Sequence, residues 1–243
     1  KFMERDFTLF MAVPTVYVKL ITAWEAAAPQ EQRLMRDACQ KFRLMVSGSA
    51  ALPVSVLQKW KDITGHTILE RYGMTEIGMA LSNPLHGERL AGYVGTELPE
   101  VELRLVDDEG NSVPPGVSGE IQVRGPGVFL EYWQRPEETG LSFCQGWFCT
   151  GDVAVVEEGN YRILGRKSTD IIMTGGYKVS ALEIEEVLRT HPAIMECAIV
   201  GLDDAEWGER VGAALILRKG EKINLKDLRL WGKMKLAPYK VPT

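Results

Sequence analysis

Short apolar runs alternate with amphipathic segments in the first third of the chain. Residues 7–13 (FTLFMAV) are apolar over the length of a strand, and Pro14 follows at a position suited to the first turn of a helix. Residues 42–50 (FRLMVSGSA) form a second apolar run that ends in a small-residue loop, and residues 52–65 then carry apolar side chains at helical spacing. Together with the strand-like residues 66–73, this order of strand and helix predicts a parallel α/β sheet.

The middle third has a different pattern, in which short β runs are broken by glycine and proline. Residues 108–111 (DEGN) and 158–160 (EGN) are turn sequences of the kind that close antiparallel hairpins. A β-rich subdomain is therefore predicted to start at Tyr93.

A third pattern begins after Arg166. Residues 180–192 (SALEIEEVLRTHP) predict a helix, in which Ser180 and Glu183 occupy the positions of a capping box. Two strand-like runs follow, and residues 225–235 have the spacing of an amphipathic helix. These elements predict a small α+β domain.

The three patterns define the predicted domain organisation. Residues 1–92 are an α/β part, residues 93–165 a β-rich subdomain, and residues 166–243 a small α+β domain at the C-terminal end. The chain opens on Lys1 and stops just after an X-Pro turn, so we expect it to be the interior of a longer protein.

Composition excludes several classes of protein. The 28 Lys+Arg and 33 Asp+Glu residues give a net charge of −5 without a long basic run. The sequence therefore lacks the basic stretch that is typical of nucleic-acid-binding proteins. The apolar runs are far shorter than the roughly 20 residues needed to cross a bilayer, which predicts no transmembrane segment. The four cysteines form no CxxC pair, which argues against structural zinc and favours reduced thiols inside a cell.

The segment 68–84 (ILERYGMTEIGMALSNP) concentrates chemically active side chains around one glycine. Gly73 lets the backbone approach a ligand, Tyr72 offers a π-face, Thr75 a hydroxyl, and Glu76 a hard oxygen suited to Mg²⁺. These groups suit a nucleobase, a phosphate and a metal ion. Taken alone, the segment is explained more simply as a turn with a solvated acid.

Several separated stretches in the right order change that interpretation. They resemble the motif series of the adenylate-forming enzymes, the group of acyl-CoA synthetases, luciferases and peptide-synthetase adenylation domains. The similar stretches are VSGSAAL (46–52), ERYGMTE (70–76), GWFCTGD (146–152), GRKSTDIIMTGGYKVSALEIE (165–185) and LAPYKVP (236–242). The resemblance covers nearly the whole chain and implies a large α/β AMP-binding domain followed by a small mobile one.

The resemblance implies a two-step reaction. A carboxylate attacks the α-phosphate of Mg-ATP and releases pyrophosphate, and the acyl-adenylate then passes to the thiol of coenzyme A. It implies Tyr72 on adenine, Thr75 on the α-phosphate and Glu76 on Mg²⁺, with Thr75 and Glu76 as the catalytic residues. The remaining implied ATP contacts are Gly73 beside Tyr72, the backbone of Gly48, Ser49 and Ala50 along the base, Asp152 on the ribose, and Arg166 on ribose or phosphate.

The resemblance also implies a rotation of the small domain between the two steps. It places the hinge at Ser168 or Thr169 and a coenzyme A contact at Gly175, Gly176 and Tyr177. Many relatives carry Lys where this chain has Met173, so no role is carried over to that position. The family's phosphate loop and catalytic lysine lie outside the sequence, and we expect the 243 residues alone to be inactive.

The acid is predicted from a finer similarity. Within the family, the chain is most similar to malonyl-CoA synthetases, including the mitochondrial form of animals, in the segment 68–84 and in the stretches SGSAALP, VGTELP and TGGYKVSALEIE. This similarity favours malonate or methylmalonate as the acid. It also favours the mitochondrial matrix as the location, or the cytoplasm if the parent protein is not of the animal type. A second carboxylate suits an arginine fork, and Arg71 and Arg89 are the candidates. Solvated or structurally paired arginines, a short- or medium-chain fatty acyl-CoA synthetase, and a truncated nucleotide-binding module remain alternatives.

Overall fold

The computed structural model describes residues 7–243, and the chain divides into two compact units. The first extends to Thr150 and includes Val155–Ile163; the second comprises Gly151–Ala154 and Leu164–Thr243. The strands Trp147–Glu157 and Asn160–Arg166 therefore each contribute residues to both units. The predicted boundaries at 92–93 and 165–166 remain predictions.

A parallel sheet begins the first unit, as the alternation of strand and helix predicts. Strand β1 pairs parallel to β2, and β2 pairs parallel to β3. The chain then reverses, because β4 pairs antiparallel to both β3 and β5. The elements of this part are β1 (Leu9–Ala12), α1 (Pro14–Ala26), α2 (Pro29–Gln40), β2 (Leu44–Ser47), α3 (Val54–Thr64), β3 (Leu69–Met74), β4 (Gly78–Ser82) and β5 (Thr96–Glu97).

The helix boundaries follow the local sequence. Pro14 occupies the first turn of α1, where its missing N–H leaves no helical hydrogen bond unmade, and α3 ends at Gly65 with a left-handed φ of 80°. Helix α2 was not predicted. Only Ala38 and Cys39 of this helix are buried, and most of its residues are polar.

Aromatic residues fill the core below the parallel strands. Tyr17, Met45 and Ile68 are fully buried. The Tyr17 hydroxyl donates to the Val46 carbonyl at 2.9 Å, and the Trp60 ring meets the Tyr17 ring edge-on at 5.2 Å between centroids. Burial of each such side chain contributes about 1.5–3 kcal/mol, so this cluster fixes the positions of β2 and β3.

A second sheet contains the β-rich part of the chain. Its strand order is β10-β9-β7-β6, with β8 paired to β9. The predicted turn at Glu158-Gly159 joins β9 to β10, and both residues have positive φ, as a two-residue hairpin turn requires. The elements are β6 (Glu102–Val106), β7 (Gly119–Arg124), α4 (Pro136–Leu141), β8 (Phe143–Cys144), β9 (Trp147–Glu157) and β10 (Asn160–Arg166).

The second unit has the predicted α+β character. Its antiparallel sheet has the order β12-β11-β14-β13, and the predicted cap of α5 is present, because the Ser180 hydroxyl accepts the Glu183 N–H at 3.1 Å. The elements are β11 (Ile171–Thr174), β12 (Tyr177–Ser180), α5 (Ala181–Arg189), β13 (Ile194–Asp204), β14 (Gly208–Leu217), α6 (Leu225–Lys233) and a short 3-10 turn (Pro238–Lys240). Within residues 7–243, none of the helices is both long and apolar enough to cross a membrane.

Candidate functional site

The β3–β4 hairpin carries the polar residues that the sequence singles out. Arg71 and Tyr72 lie in β3, and Thr75 and Glu76 lie in the turn that leads to β4. The Ile77 N–H closes this turn by donating to the Met74 carbonyl at 3.2 Å. Thr75 is exposed and Glu76 is partly exposed, so both side chains are accessible to a ligand.

Close packing against a neighbouring strand requires glycine at position 73, which the sequence does not reveal. A Cβ atom at this position would stand 2.1 Å from the Gly78 carbonyl oxygen and 2.9 Å from the Met79 Cα. The close approach that requires glycine is therefore to strand β4, where the pairing register shifts between Tyr72 and Gly73. This contact sets the path of the chain into the Thr75 turn.

The loop after β2 lies beside Arg71. A Cβ atom on Gly48 would stand 3.4 Å from the Arg71 carbonyl oxygen and 3.5 Å from its side-chain Cγ and Cζ atoms. Ser49 has a φ of 68°, an uncommon conformation for a residue with a side chain, and Ala50 is exposed. In α/β sheets, the carboxyl ends of parallel strands are where ligands bind, and this loop is such an end.

Glu76 is held by a loop that sequence reasoning missed. The Tyr132 hydroxyl donates to Glu76 Oε1 at 3.0 Å, and the Phe129 N–H donates to the Glu76 carbonyl at 2.7 Å. The sequence signal was the aromatic-rich stretch 129–133 (FLEYW), which lies more than 50 positions away. Tyr132 therefore joins the candidate site.

The surroundings of Glu76 fit a magnesium ion that is bound together with a nucleotide. Over residues 7–243, no group of three or more His, Cys, Asp or Glu side chains is arranged to hold a metal. Mg²⁺ commonly uses only one or two carboxylates and takes its other ligands from phosphate oxygens and water. A single, partly exposed carboxylate beside an exposed threonine is consistent with that chemistry.

The Arg71 guanidinium has an unusual environment. Its Nη1 contacts the Met79 thioether sulfur, and its Nε is buried without a hydrogen-bond acceptor among the residues that the structure describes. No carboxylate from residues 7–243 forms an ion pair with it. A buried guanidinium N–H without an acceptor is costly, so the position favours an anionic ligand.

Arg89 has a different environment from Arg71. Its guanidinium donates to the carbonyl oxygens of Thr67 at 2.5 Å, Leu85 at 2.9 Å and Pro84 at 3.2 Å. Partial burial lowers the pKa of this guanidinium. Arg89 therefore ties the loop 84–89 to the chain before β3, and its donors are largely engaged.

In the second unit, the two residues assigned to the ribose are in contact. Arg166 Nε lies 3.1 Å from Asp152 Oδ1, and the Asp152 side chain is 12% exposed against 46% for Arg166. The Lys167 N–H donates to the Gly151 carbonyl at 2.8 Å, which holds the start of the next turn beside this pair. The arrangement keeps a largely desolvated carboxylate next to a cation.

The expected hinge is a short exposed turn. Two hydrogen bonds between Asp170 and Arg166 close this turn. Asp170 Oδ2 accepts the Arg166 N–H at 2.8 Å, and the Asp170 N–H donates to the Arg166 carbonyl at 2.8 Å. The Thr169 N–H also points to that carbonyl, at 3.2 Å, while Ser168 is exposed.

The Gly175-Gly176 turn joins β11 to β12. The two residues have φ values of 56° and 82°, as a tight hairpin turn requires, and a Cβ on Gly175 would stand 2.8 Å from the Trp207 ring. Tyr177 follows and stacks on Tyr239 with 4.3 Å between ring centroids, although it is 54% exposed. Met173 on β11 is 45% exposed.

Two family models match the chain. The model described as AMP-binding enzyme matches residues 2–133, and the model described as AMP-binding enzyme C-terminal domain matches residues 183–243. The resemblance stated from the motifs is therefore confirmed.

Curated relatives match along nearly the whole chain. The mitochondrial malonate–CoA ligases of Bos taurus and Homo sapiens are each 51% identical to it over 97% of its residues, which corresponds to 44% and 45% of their own lengths. The malonate–CoA ligase of Arabidopsis thaliana is 50% identical over 97% of the chain and 40% of its own length. The chain thus spans less than half of the relatives that it matches.

Solved structures agree with these matches. The ATP-bound MatB from Rhodopseudomonas palustris superposes with a TM-score of 0.88 and 39% identity, covering 97% of this chain and 46% of that one. An anthranilate CoA ligase in complex with anthranoyl-AMP gives a TM-score of 0.82 at 32% identity, with coverage of 97% and 45%. The mixed α/β fold with a small C-terminal unit is confirmed.

Proposed function

Because the chain belongs to the family of AMP-binding enzymes, we propose that it forms part of the machinery of an ATP-dependent acid–thiol ligase that converts malonate to malonyl-CoA. The relatives whose names specify malonate support the choice of acid. Methylmalonate, with the same two carboxylates, is the closest alternative substrate.

The observation that carries the choice of malonate is the environment of Arg71. Its Nε is buried and lacks an acceptor among the described residues, and Gly48 presents no side chain to the guanidinium, whose Cζ would lie 3.5 Å from a Cβ at that position. A substrate with a second carboxylate would supply the missing acceptor and a counter-charge in one group. Arg89 already donates to three carbonyl groups, so the proposal rests on Arg71.

The nucleotide contacts are proposed residue by residue. Tyr72 would stack on the adenine, with the backbone of residues 48–50 along the base. The Thr75 hydroxyl would donate to the α-phosphate. At this phosphate, a carboxylate oxygen of the acid attacks and pyrophosphate leaves. Glu76 would hold Mg²⁺. The bound ion would neutralise phosphate charge, while the protein groups position the reactants for in-line displacement.

The second unit would serve both half-reactions. Asp152 accepts the ribose hydroxyls, and Arg166 adds a donor beside it. Rotation about Ser168 or Thr169 would then present the turn of Gly175, Gly176 and Tyr177 to coenzyme A. Gly175, Gly176 and Tyr177 are all exposed residues, as such a contact requires. The ligands of the proposal are therefore ATP, Mg²⁺, coenzyme A and malonate.

We also propose the mitochondrial matrix as the location. The support is the word mitochondrial in the names of the animal relatives, which are 49–51% identical to the chain. Import of the natural translation product into isolated mitochondria, followed by protease protection, tests this proposal. A product that remains accessible to protease would contradict it.

The experiment that tests the function is ATP–pyrophosphate exchange by the full natural translation product with a panel of acids. Malonate should support the fastest exchange, methylmalonate a slower one, and acetate and octanoate little. Faster exchange with acetate or octanoate would indicate a fatty acyl-CoA synthetase instead. Nucleotide binding without exchange for any acid would indicate a non-catalytic nucleotide-binding protein.

A further inference from the structure

Tyr132 makes a direct hydrogen bond to the residue proposed to hold magnesium. Its hydroxyl donates to Glu76 Oε1 at 3.0 Å, from a loop that follows β7. A tyrosine hydroxyl that donates to one carboxylate oxygen restricts rotation of the carboxylate and directs the other oxygen elsewhere. The contact therefore controls which oxygen of Glu76 is available to a ligand.

The loop that carries Tyr132 is fixed to the Glu76 turn at a second point. The Phe129 N–H donates to the Glu76 carbonyl at 2.7 Å, and the rings of Phe129 and Tyr132 meet at 4.7 Å between centroids. The Tyr132 N–H in turn donates to the Thr139 hydroxyl at 3.0 Å. Backbone and side chain of Glu76 are thus held by one short segment whose own backbone is anchored.

We propose that Tyr132 is a positioning residue that holds Glu76 Oε1 so that Oε2 is presented to the magnesium ion of Mg-ATP. The inference rests on the proposed function, because it takes Glu76 as the metal ligand. Hydrogen-bond partners of ligating carboxylates orient them, and their loss typically weakens metal affinity by about 10- to 100-fold. For one neutral donor at 3.0 Å, we expect the lower end, about tenfold.

A purely structural role would have a different signature. The Tyr132 ring belongs to an aromatic cluster with Phe129, which itself packs on Phe143 and Phe148. Tyr132→Phe keeps the ring in this cluster and removes only the hydroxyl. A structural role would lower thermal stability without changing the response to magnesium.

The test measures ATP binding by the full natural translation product with Mg²⁺ and with EDTA, by isothermal titration calorimetry. Tyr132→Phe should raise the magnesium concentration for half-maximal tightening of ATP binding by about tenfold. It should leave ATP affinity in EDTA unchanged and recover normal affinity at saturating magnesium. An unchanged magnesium response would overturn the inference.

A matched control has the same chemistry elsewhere in the first unit. The Tyr93 hydroxyl donates to Glu157 Oε2 at 2.7 Å, so Tyr93→Phe removes an equivalent tyrosine–glutamate bond. This variant should leave the magnesium response unchanged. An equal shift in the Tyr93 variant would show that the effect is general and would also overturn the inference.

Glu76→Gln separates failure of this inference from failure of the proposed function. If Glu76→Gln removes the magnesium dependence and Tyr132→Phe does not shift it, only the role of Tyr132 is wrong. If Glu76→Gln leaves the dependence intact, Glu76 is not the metal ligand, and both the proposed metal role and the role of Tyr132 fail.

Discussion

Replacement of Arg71 by glutamine tests how the protein would select a dicarboxylate. Glutamine keeps a polar, although shorter, side chain and removes the positive charge and the planar fork of donors. Arg71 Nε is buried without an acceptor among the described residues, so its change should not remove an internal ion pair. We expect the fold to tolerate the substitution and the second carboxylate to lose its partner.

The size of the effect follows from that lost partner. Leaving one charge of a buried, hydrogen-bonded pair without its partner costs about 2–5 kcal/mol. For malonate, this corresponds to a loss of about 30-fold to 4,000-fold in kcat/KM. Propionate has a methyl group in place of the second carboxylate. Its kcat/KM should fall by less than about threefold, since there is no charged pair to break.

The assay compares malonate with propionate in the wild-type and variant proteins. The ratio of the two kcat/KM values isolates the interaction with the second carboxylate, because effects common to both acids cancel. Arg89→Gln is the matched control. It should lower stability, through loss of its three carbonyl contacts, and leave the ratio unchanged. An equal loss with both acids in the Arg71 variant would refute the reasoning.

Three further predictions concern the fold that supports the site. Ser180→Ala should lower the free energy of unfolding by about 1–2 kcal/mol in urea denaturation, since the hydroxyl caps α5 and donates to the Leu164 carbonyl; a change below about 0.3 kcal/mol would contradict this. Gly73→Ala should cost about 1–3 kcal/mol or more, because its Cβ would overlap β4, and an unchanged urea midpoint would contradict it. Burial raises the pKa of Cys39 from 9.0 to about 11 and that of Tyr17 above its ordinary 10.0. These groups therefore ionise at a lower pH in the unfolded state than in the folded state. The free energy of unfolding should be constant below pH 9 and should decline as the pH rises from about 9 to 11. A constant free energy of unfolding across that range would exclude this linkage.

The sequence predicted the architecture where local signals were strong. Pro14 suits the first turn of a helix, Gly65 takes the left-handed conformation that ends one, and the Ser180 side chain caps one through a hydrogen bond. The parallel order of the first strands and the small α+β unit follow from such signals. Helix α2 was missed although its few apolar residues lie at helical spacing, because most of its residues are polar.

The candidate site was predictable only in part. Tyr72, Thr75 and Glu76 are adjacent in sequence and were found as a motif. Tyr132 contacts Glu76 across 56 positions, and a long-range contact of this kind leaves no periodic pattern. The different environments of Arg71 and Arg89 also depend on where carbonyl groups lie in three dimensions, which residue type does not report.

The central claim is that the β3–β4 hairpin binds both the magnesium-bound nucleotide and the second carboxylate of the acid. The most direct test is a crystal structure of the full natural translation product with Mg²⁺, a non-hydrolysable ATP analogue and malonate. The account predicts Arg71 nitrogens at about 2.7–2.9 Å from one malonate carboxylate and a Glu76 oxygen on the metal at about 2.1 Å. A malonate held by other basic residues, with Arg71 still against Met79 and Glu76 away from the metal, would contradict it.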